Sequence, residues 1–216
     1  MQVNFTSFNY KAADIAGEER HYFDYHVDLA KKLPGLRFYL TGKFRAHPSV
    51  KPPHYRAAIL AFDSAEGAAS AMSSDAGRTV REDGAAHLTG ARPLALDAQV
   101  IVPFDSRQPG RDCFLMAAEF DLETASAGLE AADRRYLEQH TALARQLPGL
   151  RLYMTGRLFE TRGLKPDRWR CAMLAFDNLE ALRAAYRSPV GQDLIKDEEA
   201  TIRNARVHRI DARVEI

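Results

Sequence analysis

The sequence predicts an α+β protein built from two β-α-β-β-α-β repeats packed sheet to sheet. Three observations carry this prediction. The chain repeats itself at a fixed offset of 114 residues. A helical period gives way to strict alternation at the same place in each copy. The same turn-forming residues punctuate both copies.

The repeat is plain by inspection. RHYFDYHVDLAKKLPGLRFYLTGKF, from Arg20 to Phe44, returns as RRYLEQHTALARQLPGLRLYMTGRL, from Arg134 to Leu158. No gap is needed from there to the C-terminus. Tyr55-Arg56 answers Trp169-Arg170, and Leu60 to Asp63 answers Leu174 to Asp177. Between Arg20 and Asp63 roughly half the positions are identical, against about 6% for unrelated segments of average composition. Gly77/Gly191 and Asp97/Asp211 extend the agreement. A solenoid needs about three repeats or more, so two copies point to a fused dimer. The expected division is residues 1–104, a linker at 105–112 marked by Pro, Gly and charge, and residues 113–216.

Within one copy, Gln2 to Phe8 alternates polar and apolar and reads as a strand. Ile15 to Leu33 reads as a helix, with Tyr22, His26, Leu29 and Leu33 on one face. Pro34-Gly35 stops it. Leu36 to Thr41 alternates strictly and reads as a strand. His47-Pro48 and Pro52-Pro53 mark a loop, because proline cannot donate to a sheet ladder. Tyr55 to Phe62 is a more apolar strand. Asp63 with Glu66, repeated as Asp177 with Glu180, suggests a cap for a second helix. A helical or irregular stretch and a last strand, Leu94 to Val102, complete the ferredoxin-like order.

Composition excludes several classes. Thirty basic against 29 acidic residues give a net charge of +1, so long-range attraction to nucleic acid or an anionic membrane is not expected. No apolar run approaches the ~18 residues of a membrane span. The first residues show no basic segment leading into an apolar one, so no secretory signal is expected. Cys113 and Cys171 form no metal-type pair and read as buried thiols, which suggests a reducing, cytoplasmic setting. No glycine-rich phosphate loop, nucleophile elbow or CxxC pair is present.

The strand after the first helix has two faces. Leu36, Phe38 and Leu40, matched by Leu150, Leu152 and Met154, are expected under the helices. Arg37, Tyr39, Thr41 and Lys43, matched by Arg151, Tyr153, Thr155 and Arg157, are expected to face the other repeat and line a cavity between the sheets. Gly42 and Gly156 are read as a bend or bulge in this strand.

The run Tyr22-x-x-x-His26, Leu33-Pro34-Gly35-Leu36-Arg37-x-Tyr39 and then Phe62-Asp63-Ser64-x-Glu66 resembles the EthD family of the dimeric α/β-barrel superfamily. Tyr136, His140, Leu147-Pro148-Gly149-Leu150 and Phe176-Asp177-Asn178-x-Glu180 repeat the pattern, so the resemblance covers most of the chain. In that family, single-domain chains pair sheet to sheet into a barrel. The resemblance thus implies a tandem protein that forms the same dimeric α/β barrel within one chain. Relatives act on small aromatic or polyketide-like compounds as cyclases, decarboxylases and lactone isomerases, and the superfamily includes cofactor-free monooxygenases and haem-binding branches. What this implies is a cofactor-independent enzyme for an aromatic, lactone or polyketide-like substrate. The alternative is a non-catalytic ligand-binding or accessory protein of a degradation pathway.

His26 and His140 are the candidate proton shuttles, oriented by Tyr22 and Tyr136 one turn earlier; the alternative is a histidine that packs helix on sheet. Arg37, Tyr39 and Thr41, with Arg151, Tyr153 and Thr155, are the candidate ligand contacts, guanidinium and hydroxyl donors suiting a phenolate, enolate or carboxylate. Exposed strand residues are the alternative for these. His47, His54 and Lys51 share a loop but offer too little to expect a metal, and no cofactor is expected. Haem is the outlying option, disfavoured by the packed face that carries the histidines. The partners expected are a small-molecule ligand and, through a surface other than the barrel interface, a second copy; nucleic acid and membrane are not expected.

Overall fold

The computed structural model describes residues 1–46, 52–104, 110–124 and 128–216. His47 and Lys51, and residues 105–109 of the expected linker, lie outside them. Repeat one contains β1 (Gln2–Tyr10), α1 (Ile15–His21), α2 (Val27–Lys31), β2 (Leu36–Phe44), β3 (Arg56–Phe62), α3 (Ala65–Ser73), α4 (Asp75–His87) and β4 (Leu88–Val102). Repeat two contains β5 (Asp112–Leu122), α5 (Leu129–Arg135), α6 (Thr141–Ala144), β6 (Leu152–Phe159), β7 (Arg170–Phe176), α7 (Leu179–Arg187), α8 (Pro189–Thr201) and β8 (Ile202–Val214). Single π-helical turns, Tyr22–His26 and Tyr136–His140, join α1 to α2 and α5 to α6. The expected first helix is therefore continuous, but its YxxxH motif is wound wide in both copies.

Eight antiparallel strands close into one barrel in the order β1-β3-β2-β8-β5-β7-β6-β4. Each repeat supplies four consecutive strands, and two seams join them. At one seam Leu40 to Phe44 pair with Val214 to Ile210. At the other, Ala95 to Val102 pair with Phe159 to Tyr153. The last strands, β4 and β8, are long because each serves its own sheet and then the other repeat's.

Gly42 faces Ala212 and Gly156 faces Ala98, the same pair at both seams. A Cβ on Gly42 would sit 2.6 Å from the Asp211 carbonyl oxygen and 2.8 Å from the Ala212 Cα. One on Gly156 would sit 2.8 Å from the Ala98 Cα. The ThrGly pair therefore marks close approach of two backbones across the seam, not a bulge. The β2–β3 register shift lies earlier, between Leu36 and Phe38.

The lumen is a filled apolar core. Phe5, Phe38, Leu40, Ile59, Leu96, Leu115, Met154, Met173 and Ile210 form one buried cluster there with Cys113 and Cys171. Each Leu- or Phe-sized side chain in it contributes about 1.5–3 kcal/mol by leaving water. The thiols are unpaired, and burial raises both, Cys113 to about 12.

Leu36 and Leu150 pack toward the helices as expected, but beyond them the strand faces are reversed. Phe38, Leu40, Leu152 and Met154 point into the lumen, whereas Tyr39, Thr41, Tyr153 and Thr155 lie under the helices. The expected Arg/Tyr/Thr hollow between the sheets is not formed. The apolar cluster in the lumen offers Tyr and Thr hydroxyls at these positions no partner, while the helix side supplies Tyr22 and Tyr136 for them.

Two smaller expectations also change. Ser64 and Asn178, not Asp63 and Asp177, cap α3 and α7, accepting from the N–H of Gly67 and Ala181 at 3.0 and 2.9 Å. The last strand of repeat one starts at Leu88, not Leu94. No helix among the described residues is long and apolar enough to cross a membrane.

Replacing Gly42 with Val should destabilise the barrel by about 1–3 kcal/mol, because backbone rather than a flexible side chain must give way. Urea denaturation measures it; an unchanged midpoint would remove the close approach from the account of the seam.

Candidate functional site

On the helix side of each sheet the π-helical turn aims a tyrosine and a histidine inward. The Tyr22 hydroxyl lies 3.0 Å from that of Tyr39 and 2.9 Å from Thr41 Oγ1. The Tyr22 ring stacks on His26 at 5.1 Å, and the Arg56 guanidinium covers it at 4.9 Å. Repeat two copies this with Tyr136, Tyr153, Thr155, His140 and Arg170. Burial raises the pKa of Tyr22, Tyr39, Tyr136 and Tyr153, so all four remain protonated near neutrality. They form a hydroxyl relay that fixes the helix over the sheet and the imidazole beside it.

Each histidine is held by a carboxylate that sequence reading missed. His26 Nδ1 meets Asp83 Oδ2 at 2.7 Å, and His140 Nδ1 meets Asp197 Oδ2 at 2.8 Å. Both partners lie 57 residues beyond their histidine, on α4 and α8. That shared separation was the available signal. Burial lowers both histidine pKa values, and the bonded aspartates only partly offset it. Burial pushes Asp83 up, but His26 and His21 together outweigh this and hold it below its usual range. The result is a neutral imidazole oriented by a carboxylate. With Nδ1 committed to Asp83, His26 has Nε2 left to accept a proton.

His26 lines a cavity of about 780 Å³ in repeat one, between the outer face of the sheet and helices α3 and α4. Gln2, Asn4 and Thr6 of β1 supply polar groups on its floor, and the Gln2 amide donates to Asn4 Oδ1 at 2.9 Å. Leu60, Phe62, Met72, Val80 and Leu88 supply apolar wall; Arg81, whose guanidinium donates to the Met72 carbonyl, and Arg162 also border it. Arg162 reaches in from the β6–β7 loop of repeat two, where it holds a left-handed φ of 50°. Small residues make the space: Ala65, Ala68, Ala69, Gly84 and Ala85 all border it.

Repeat two fills the same space. Gln2 and Phe114 hold the same register, each opposite the last residue of its neighbouring strand, so β1 and β5 superpose at an offset of 112. Gln2, Asn4 and Thr6 are thus replaced by Phe114, Met116 and Ala118. On the helices Ala65, Ala68, Met72 and Val80 become Leu179, Leu182, Tyr186 and Leu194, packed as one cluster around Tyr136. Gly84 becomes Glu198, whose carboxylate accepts from the Tyr186 hydroxyl at 3.1 Å. His140 has the dyad without the room.

None of the six expected ligand contacts lines the repeat-one cavity. Tyr39, Thr41, Tyr153 and Thr155 are buried in the hydroxyl relays. Arg37 and Arg151 are exposed and pair with Asp63 and Asp177 at 2.6 and 2.9 Å. His54 borders a second cavity, of about 470 Å³, with Arg92, Arg206 and His208. Those groups are already matched: Glu119 takes Arg92 at 2.7 Å and His208 at 2.9 Å, and Asp167 takes Arg206 at 2.7 Å. One further cluster, His21, Asp83 and His87, has the donor types and spacing to hold a metal ion.

Residues 126–202 match the family model of the EthD domain, which places the match in the repeat whose space is filled. The whole barrel resembles solved structures. One, from Fusobacterium nucleatum and provisionally assigned as a monooxygenase, is 10% identical with a TM-score of 0.73, covering 99% of this chain and 93% of its own. Another with that provisional assignment, from Lactobacillus acidophilus, is 13% identical with a TM-score of 0.68 over 98% and 93%. An anthrone oxidase-like protein is 16% identical with a TM-score of 0.61 over 99% and 93%. These likenesses show the fold. No curated protein matches the sequence.

The depressed histidines set a pH dependence of stability. As pH falls through about 6.5, the unfolded chain takes up protons that folded His26 and His140 still refuse, so stability falls with pH. Urea midpoints measured from pH 7.5 to 5.5 should decline, and a His26→Gln/His140→Gln variant should decline less. Equal slopes would show that the two imidazoles titrate alike in both states.

Proposed function

We propose that the chain, a tandem EthD-family protein of the dimeric α/β-barrel superfamily, binds one small acidic aromatic, lactone or polyketide-type molecule in the repeat-one cavity and removes a proton from it with His26. The observation that carries this reading is the meeting of an oriented, neutral imidazole with open space in repeat one, where repeat two packs larger side chains at the matching positions. Asp83 holds Nδ1–H and stabilises the imidazolium formed when Nε2 accepts a proton. Tyr22, stacked behind the ring, is a positioning residue. A cavity of about 780 Å³ falls in the range that encloses ligands of drug size.

The wall supports the substrate class. Phe62, Leu60 and Met72 suit a flat apolar body, and the Gln2, Asn4 and Thr6 polar groups suit ring oxygens. Arg81 and Arg162 suit a phenolate, enolate or carboxylate, the charge that remains once a carbon acid gives up its proton. Proton removal of this kind opens cyclisation, isomerisation and, with dioxygen as co-substrate, monooxygenation; in a decarboxylation the protonated imidazole would instead deliver a proton to the carbanion left when CO2 departs. Repeat two serves as scaffold, lending Phe159, Thr161 and Arg162 to the cavity of its neighbour.

Two experiments test this. The first follows exchange of acidic C–H protons for deuterium by NMR across a panel of anthrone-type phenols, aromatic acids and lactones. His26→Gln should lower exchange about 10²- to 10⁴-fold, the usual contribution of a positioned base, and His140→Gln should leave it near wild type. The wild-type rate should fall as acid protonates His26. Equal loss in both variants would reject the one-site reading, and binding with no exchange would leave a carrier rather than an enzyme.

The second closes the space with repeat two's own residues. Gly84→Glu and Ala68→Leu together should abolish the thermal stabilisation that ligands give the wild type. Undiminished stabilisation would place the ligand elsewhere.

A further inference from the structure

Outside the cavity, on the helical surface of repeat one, three side chains converge that the proton-transfer reading leaves without a shared role. His21 closes α1, and Asp83 and His87 stand one turn apart on α4. One donor atom from each lies within 4.8 Å of the others. The geometry points to a site for a single divalent ion of the zinc class, ligated by His21 Nε2, Asp83 Oδ1 and His87 Nε2, with the remaining position open to water.

The donor set selects the metal. Two imidazoles and one carboxylate suit zinc and neighbouring transition ions, whereas calcium and magnesium take shells of oxygen. The distances need only small adjustment. Ligand atoms around a tetrahedral zinc stand about 3.3 Å apart. His21 Nε2 is 2.7 Å from Asp83 Oδ1, and His87 Nε2 is 4.0 Å from it. The two rings stack at 3.8 Å with planes 21° apart, so one imidazole must turn about its side-chain bonds for both Nε2 lone pairs to meet a single ion.

The supporting groups are also in place. His87 Nδ1 meets Glu18 Oε2 at 2.9 Å, and the Glu18 side chain is only 9% exposed. A buried carboxylate behind a ligating histidine fixes the tautomer that frees Nε2 for a metal. The second oxygen of Asp83 is fixed by His26. Entry is open, since the His21 and His87 side chains are 30% and 35% exposed.

Repeat two supplies an internal comparison. His21 is replaced by Arg135 and His87 by Thr201, while Asp83 is kept as Asp197. Arg135 bonds Asp197 Oδ1 at 2.7 Å and also reaches the Thr201 hydroxyl. A fixed organic cation thus neutralises the aspartate of repeat two on the side where repeat one presents two imidazoles. An ion between those imidazoles would give Asp83 the same neutralisation.

The test uses the full-length, tag-free protein, stripped with EDTA and held at pH 7.5. Calorimetric titration with zinc sulfate should show one ion per chain, and cobalt(II) should develop the visible absorption of a low-symmetry site. Zinc should raise the melting temperature. The His21→Arg/His87→Thr variant carries the residues that repeat two folds with, so it should fold normally and melt without zinc as the wild type does. Its zinc affinity should fall by more than the ~100-fold that loss of an outer-shell partner costs. Should the double variant fold poorly, His87→Ala gives the same readout from a partly exposed position. No zinc uptake by the wild type, or equal uptake by a folded variant, would overturn the site. The readout is binding, so it stands apart from whether His26 moves protons.

Discussion

Closure of the barrel at two seams is the constraint that organises everything else. Hydrogen bonding between β2 and β8, and between β4 and β6, closes the wall around the space between the sheets. Where that space offers no polar partner it is stable only when filled with apolar side chains, and Leu40, Leu96, Met154 and Ile210 fill it. A polar group on the lumen side, Glu119 with His208 and Arg92, is paired within itself at one end of the barrel. The hydroxyls of Tyr39, Thr41, Tyr153 and Thr155 take the other face of each sheet. There the helices supply partners, and a change in side-chain size opens a space or shuts one.

The π-helical turns belong to the same logic. A regular helix advances 100° per residue, and one wide turn shifts that phase. In both repeats the shifted turn holds the tyrosine that reaches the sheet hydroxyls and the histidine that reaches its aspartate. Local helical geometry is given up where two inward contacts must be met from a single face.

Much of this was readable in the sequence. Repetition gave the two copies, alternation gave the strands, and the YxxxH motif gave the tyrosine–histidine stack. The parity of β2 was not readable, because both of its faces are buried: Tyr39 is 1% exposed and Leu40 0%. Alternation separates a wet face from a dry one, but not a helix-covered face from a lumen. Asp83 escaped because it sits in a stretch without a motif, and only its recurrence as Asp197 marks it. The polar floor escaped for another reason. Gln2 and Asn4 read like the surface residues of any edge strand, and their contrast with Phe114 and Met116 needs the 112-residue register of the first strands.

The two seams are chemically alike, each bringing a glycine against an alanine. Separate half-chains with such edges would have little means of telling each other apart, and random pairing would yield molecules with two open halves, one, or none. A peptide connection removes that lottery. Each molecule receives one roomy half and one solid half, so mutations that fill the second can accumulate while the first keeps its vacancy. Covalent continuity thereby gives every molecule the same asymmetric pair of halves within a symmetric architecture.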